Sequence, residues 1–374
     1  MMDKTSPSWA EIDLTAIKYN LCNIRKAARG SRVMAVVKAD AYGHGMLEVS
    51  RACMEEGIDY LGVASLNEAL QLLDTAGDIP VLVLGYLPKM HAQLVVEKGI
   101  RATVYDYNLA QELSRAALEI GRSAYVHIKV DTGMGRLGFC PGEESLKLIR
   151  SIADLPGIKL EGIFTHFAVS DIEDKGFTLE QLDLFSSMIA SLEEAGIIIP
   201  LKHCSNSAAL MEMPETHFNM VRAGIVLYGL YPSKYVKREK LDIIPAMTLK
   251  SRVGMVKTLE AGHTVSYGRT YCCEKEILVA TVPIGYAEGY SRLLSNRAHA
   301  VIKGQRVPLI GIVCMDQCMF DVSGLKRVSK EDEVVLFGKP EDGVTADELA
   351  EIIGTINYEI VCSVSSRVPR IYKG

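Results

Sequence analysis

The sequence predicts a (β/α)8 barrel followed by a mostly β domain, and three observations carry that reading. Short apolar runs alternate with helical patterns over a first stretch of about 230 residues, the usual length of such a barrel. Polar residues stand at the C-terminal ends of those runs. After about residue 240 the alternation stops, and short strands separated by Gly, Asp and Pro turns take over.

The elements follow in order. Residues 11–29 read as an amphipathic helix, with Ile12, Ile17, Leu21 and Ile24 at helical spacing. Strand-like runs then begin near Val33, Tyr60, Pro80, Arg101, Ala124, Leu160, Leu201 and Asn219. Helical patterns lie between them, for example over 46–56, 66–75, 108–119, 143–152 and 179–194. Gly57, Gly77, Gly99, Gly121 and Gly196 follow helices, where cap residues are expected. The barrel is therefore placed over residues 10–240, with the charged stretch 234–241 as its linker. The β-rich domain takes 241–374 and is expected to be joined by residues 1–9. It should hold strands around 245–253, 277–283, 299–302, 307–313 and 333–336, and one late helix at 346–353. An open doubly wound sheet is the alternative. It would want a G-x-G-x-x-G turn after the first strand, where the chain has Ala39-Asp40-Ala41-Tyr42-Gly43-His44-Gly45.

Composition narrows the function. The charge balance, 41 − 46 = −5, is too mild to imply nucleic acid or an anionic membrane as partner. No apolar run suits a signal peptide or a bilayer span. The nine cysteines are scattered with no C-x-x-C pair, as expected of reduced thiols in a cytoplasmic protein. The histidines show no metal-ligand spacing, so no catalytic metal is expected.

A barrel carries its active site at the C-terminal ends of its strands. There the first strand delivers Lys38 and then Tyr42, and the fifth delivers Lys129, Asp131 and Arg136. The sixth delivers Thr165 and His166, the seventh His203, Asn206 and Ser207, and the eighth Arg222, Gly224 and Ile225. A lysine at the end of a buried strand loses proton affinity through desolvation, and a neutral amine attacks carbonyls. Alone, Lys38 reads as a lysine that has left the strand for water. Ser207 and Gly224 suit a phosphate, because a helix start and a close backbone approach both present free N–H groups. A carbonyl-reactive lysine and a phosphate on one rim fit either a sugar-phosphate aldolase or pyridoxal phosphate.

Nine motifs decide between these: AVVKADAYGHG, VDTGMGRLG, EGIFTHFA, CSNSAA, NMVRAGI, VSYG, PIGYAEG, CMDQC and TINYE. In that order and spacing, across both domains, the chain resembles the bacterial alanine racemase family. The resemblance implies a cytoplasmic homodimer that interconverts L- and D-alanine by a two-base mechanism and supplies D-alanine for peptidoglycan. It implies that Lys38 holds pyridoxal phosphate as an imine and is one catalytic base. Tyr267 would be the other, reaching across a head-to-tail dimer. Tyr42, Ser207, Gly224, Ile225 and Tyr358 would bind the phosphate. Arg222 would face the pyridine nitrogen, supported by His166. Arg136 and the backbone of Met315 would hold the substrate carboxylate. Lys129 matches a lysine that is carbamylated in some members, and Tyr286 and Asp316 would line the entryway. The rivals kept open are a serine or broad-spectrum racemase, a related pyridoxal-phosphate decarboxylase and a non-catalytic pyridoxal-phosphate-binding protein. Glu288 departs from the family pattern, where aspartate is common.

Overall fold

The computed structural model describes residues 6–374, so residues 1–5 of the N-terminal stretch expected to join the β-rich domain lie outside the described residues. The first element is a strand, β1 (Trp9–Asp13), not the start of a helix. It lies in the second domain's main sheet, antiparallel to Met247–Arg252 and parallel to Arg370–Lys373. This corrects the helix expected over 11–29 and removes residues 10–13 from the barrel. Ala10 and Ile12 are buried at the period of a strand, yet Ile12 and Ile17 also fit a helical face, so the pattern was ambiguous. Asp13 resolves it. Its carboxylate accepts a hydrogen bond from the Ala16 N–H at 2.9 Å, which caps the helix Leu14–Ala27.

Eight parallel strands follow: β2 (Arg32–Val36), β3 (Tyr60–Val63), β4 (Val81–Val83), β5 (Arg101–Val104), β6 (Ala124–Lys129), β7 (Ile158–Phe164), β8 (Leu201–His203) and β9 (Met220–Ala223). They pair in chain order from β2 to β8, and β9 returns to lie against β2. The ring closes through the Arg222 N–H, which donates to the Ser205 carbonyl at 3.2 Å. The protein thus has the nearly closed barrel expected, with its helices outside. The helix Tyr107–Ile120 shows how these are punctuated: the Asp106 carboxylate caps its start and Gly121, at φ 71°, ends it.

The second part is mostly sheet. Six strands run in the order Gln305–Pro308, His299–Ile302, Glu333–Phe337, Met247–Arg252, β1 and Arg370–Lys373. Three more, Met255–Leu259, Ile277–Val282 and Cys318–Asp321, form a smaller sheet. The late helix runs over Ala346–Ile353, and a further helix, Asn357–Ser363, follows it. That further helix and the strands Met255–Leu259, Cys318–Asp321 and Arg370–Lys373 had no clear signal in the sequence. Met255–Leu259 is mostly exposed and carries no apolar alternation.

The turn after β2 positions the site. Ala39, Asp40, Ala41 and Tyr42 all have φ between 52° and 54°, a left-handed turn of four non-glycine residues. Such a conformation costs about 1–2 kcal/mol per residue, so something must hold it. The Ala39 N–H donates to Glu68 Oε1 at 2.7 Å. The Asp40 carboxylate accepts from the Met46 N–H at 2.7 Å. The second domain presses on the same turn. A Cβ at Gly43 would lie 2.3 Å from the Val361 carbonyl oxygen, and one at Gly45 would lie 1.8 Å from the Tyr372 hydroxyl. Arg370 Nε donates to the Gly43 carbonyl at 2.9 Å.

Glu68 also accepts from the Ala64 and Ser65 N–H groups, so one carboxylate serves three backbone donors. Glu68→Ala is therefore expected to lower unfolding stability by about 1–3 kcal/mol. Urea unfolding measures this, and an unchanged midpoint would mean the left-handed turn does not depend on that carboxylate.

Candidate active site

The strand ends and the helix Asn357–Ser363 enclose a cavity of about 780 Å³. Lys38, Tyr42, Lys129, Arg136, His166, Ser207, Arg222, Gly224, Ile225 and Tyr358 all line it. With Asn206, which also lines it, eleven residues singled out from sequence thus meet in one space. Asp131 stands beside it with a different task. Its carboxylate accepts from the backbone N–H groups of Gly133, Gly135 and Arg136 at 2.9–3.0 Å and shapes the loop that carries Arg136.

One wall of the cavity is a cradle of hydroxyls. The Gly224 N–H donates to Ser207 Oγ at 3.1 Å. A Cβ at Gly224 would lie 3.1 Å from the Tyr42 hydroxyl and 3.3 Å from Ser207 Oγ, so a side chain there would fill the space. Burial raises the pKa of the Tyr42 and Tyr358 phenols, which keeps both protonated and able to donate. The Tyr42 ring leans on Tyr228 at 4.9 Å and on Tyr358 at 6.0 Å between centroids.

Arg222 lines the same cavity. It is buried, and its guanidinium donates to the carbonyls of Thr165, Cys204 and His203 at 2.9–3.0 Å. Its other partners are His203 Nδ1 at 3.0 Å and His166 Nδ1 at 3.1 Å. Burial, then the Arg222 charge, holds both imidazoles well below their ordinary pKa. They are neutral and can accept. Burial brings Arg222 itself down to about 10, which still leaves it a cation at neutral pH.

Two amines complete the chemistry. The Lys38 pKa is lowered by burial and then by the positive charge of Arg136. Lys129 is buried, and its Nζ donates to the Val130 carbonyl at 2.8 Å. Burial, reinforced by Arg222, brings its pKa down to about 7. Lys129 is therefore partly a neutral, nucleophilic amine at neutral pH, and Lys38 is shifted in the same direction.

Tyr267, Tyr286, Met315 and Asp316 do not line this cavity. All four lie on exposed surface of the second domain, with Tyr267 69% exposed. Arg367 ties part of that surface down, bridging Asp316 at 2.8 Å and Glu288 at 3.1 Å. Several cavity residues escaped the sequence reading, among them Phe164, Asp171, Glu359 and Cys362. Cys362 faces the same space as Lys38. It lies four residues after Tyr358 on one helix, a spacing that only the observed helix reveals.

Comparison with known proteins places this cavity in a family. Residues 12–232 match the alanine racemase N-terminal domain and residues 246–372 the alanine racemase C-terminal domain. The chain belongs to the alanine racemase family. It is 51% identical over 369 residues to alanine racemase of Clostridium perfringens, covering 98% of this chain and 95% of that one. It is 49% identical to alanine racemase of Methanococcus maripaludis, covering 98% of each. Its fold superposes on the alanine racemase structure of Clostridium difficile 630 with a TM-score of 0.94 and 43% identity, over 99% of this chain and 96% of that one. Alanine racemases are isomerases that depend on pyridoxal phosphate. The residues here fit that group: an open hydroxyl cradle suits its phosphate, and a buried guanidinium and a low-pKa amine stand on the same rim.

Proposed function

We propose that this chain racemises alanine, with Lys38 and Tyr267 as the two bases of a site shared between protomers of a homodimer. The observation that carries the reading is the position of Lys38, an amine of lowered pKa in one cavity with the hydroxyl cradle and Arg222. Tyr42, Ser207, Gly224, Ile225 and Tyr358 would hold the phosphate of pyridoxal phosphate, and Arg222, backed by His166, would face its ring nitrogen. Bound there, the group supplies a carbonyl for an amine to join and a π-system that draws electrons from the substrate α-carbon.

The chain's own residues do the rest. Arg136 and the Met315 backbone N–H bind the alanine carboxylate and orient the α-carbon between the bases. Lys38 Nζ takes or returns the α-proton on one face, and Tyr267 of the partner subunit does so on the other. Two bases on opposite faces invert the centre without turning the substrate. The exposed position of Tyr267 in its own chain, outside the cavity that Lys38 lines, supports this assignment. Tyr286 and Asp316 would then line the entryway. Because the Arg222 guanidinium only donates, it leaves the ring nitrogen unprotonated and limits side reactions. A carbamate on Lys129 would give Arg136 an anion to lean on. We place the activity in the cytoplasm, where it supplies D-alanine for peptidoglycan.

Incubating the purified protein with single L-amino acids in deuterated water should give α-deuterated D-alanine. Carbon dioxide release, or an amine–cofactor absorbance without turnover, overturns the reading, and equal turnover of serine replaces it with a broader racemase. Lys38→Ala and Tyr267→Phe should each cut racemisation by about 10²–10⁴-fold. Mixed and reassembled, these two inactive variants should recover about a quarter of wild-type activity, since half the dimers are hybrid and each hybrid has one intact site. No recovery after confirmed exchange of protomers would place both bases in one chain.

Lys129 gives a pH-dependent prediction. Only the neutral amine adds carbon dioxide, so carbamate should appear as pH rises through about 7 and vanish below it. A carbonyl signal from ¹³C-bicarbonate, absent in Lys129→Ala, measures this; a signal that survives the substitution assigns it elsewhere.

A further inference from the structure

The interior of a (β/α)8 barrel is ordinarily filled by branched apolar side chains. Here polar side chains of five strands make a continuous file through it. Arg222 Nη1, on β9, lies 3.0 Å from His203 Nδ1, on β8. His203 Nε2 lies 3.0 Å from His127 Nδ1, on β6. His127 Nε2 lies 3.2 Å from Glu161 Oε2, on β7, and Arg101 Nε of β5 lies 3.3 Å from the same oxygen. His127 and His203 are fully buried.

The file is built rather than incidental. A Cβ at residue 162 would lie 2.2 Å from His127 Nδ1, so Gly162 leaves the space that the imidazole fills. The β6–β7 pairing shifts register between Val126 and His127, at the same level. Phe164 stacks on His203 with ring centroids 4.7 Å apart, and the Tyr60 ring meets His127 edge-on.

Its direction follows from one end. A guanidinium can only donate, so His203 Nδ1 accepts and its proton resides on Nε2. That proton is donated to His127 Nδ1, which leaves the His127 proton on Nε2, facing Glu161. Burial keeps both imidazoles neutral, in His127 against the pull of Glu161. For Glu161, burial opposes ionisation, but the bond from His127 and the charge of Arg101 outweigh it, so the carboxylate stays an acceptor.

We propose that Glu161 and His127 are positioning residues for Arg222: the carboxylate selects the His127 tautomer, and His127 in turn selects the His203 tautomer that accepts from the guanidinium. The proposal rests on the assignment of Arg222 to the cofactor ring nitrogen made above. With the other tautomer, His203 would set an N–H against an N–H of Arg222, and the guanidinium would shift towards its remaining carbonyl partners. Glu161 would thus act on the ring nitrogen from the far end of the file, where its side chain is only partly buried.

Long-range ¹H–¹⁵N NMR of the [¹⁵N]histidine-labelled holoenzyme reads which nitrogen of each imidazole is protonated, with His127→Gln and His203→Gln assigning the signals. Both residues should be Nε2–H in the wild type and in Glu161→Gln, which keeps an acceptor oxygen. Glu161→Met removes the acceptor. It should mix the His127 tautomers, shift the absorbance of bound pyridoxal phosphate, and lower kcat in both directions about fivefold with KM changed by less than about twofold. An Nδ1–H form of either residue in the wild type overturns the proposal. So does a folded Glu161→Met with wild-type kcat and absorbance. If Glu161→Met does not fold, His127→Phe, which cuts the file at the next residue, is read in its place, and wild-type kcat and cofactor absorbance there overturn the proposal. A wild-type protein that binds no pyridoxal phosphate, or does not racemise alanine, defeats the functional reading instead, and its tautomers still test the file.

Discussion

The close approach of the second domain to the turn after β2 is the constraint on which the rest depends. Residues 39–42 wind left-handed, and only tertiary contact can keep four such residues there. The contact is tight enough to exclude a methyl group at Gly43 and at Gly45. Arg370 fastens it, donating to the Gly43 carbonyl while its other nitrogens reach the carbonyls of Val364, Ser365 and Val368. The same docking brings the helix Asn357–Ser363 over the barrel mouth, and with it Tyr358 and Cys362. Neither part alone makes the cavity. A barrel without its partner domain would lose a wall and the support of the lysine-bearing turn together.

The second organising term is positive charge without a direct carboxylate partner among the described residues, although Asp171 and Glu359 also line the cavity. Lys38, Lys129, Arg136 and Arg222 share the cavity. None of the five hydrogen bonds of Arg222 goes to a carboxylate. Burying a guanidinium this way costs roughly several kcal/mol, only partly offset by carbonyl dipoles and imidazole nitrogens. The arrangement is coherent if the missing charge arrives with the ligands, as a phosphate and an amino-acid carboxylate. Burial lowers the proton affinity of both amines, and the neighbouring cations, Arg136 for Lys38 and Arg222 for Lys129, lower it further.

Most of the barrel was legible because each strand–helix unit repeats two unlike periodicities with a break between them. Strand starts such as Tyr60, Arg101 and Ala124 coincide with those of the structure. The second domain was less so. Trp9–Asp13 carries an apolar pattern that suits helix or strand, and only its pairing with Met247–Arg252 decides. Asn357–Ser363 contains Ile360 and Val361 and reads locally as strand, but packing on the turn makes it helix. At the site, residues at strand ends could be named because the fold fixes where those ends converge. Glu161 and His127 could not, since their side chains meet only through a shifted strand register and a glycine that makes room.

Tyr267 shows where a single chain stops explaining itself. A tyrosine 69% exposed, on a short irregular turn, lies outside the cavity that Lys38 lines. Lys38, by contrast, sits among groups that lower its proton affinity. If the two act as a pair, their inequality within one protomer is informative. The half of the site that depends on burial is built by folding, and the half that is exposed acquires its environment only by association. Catalysis by that pair would then require the dimer for a geometric reason, because the cavity that Lys38 lines holds no Tyr267 of its own chain.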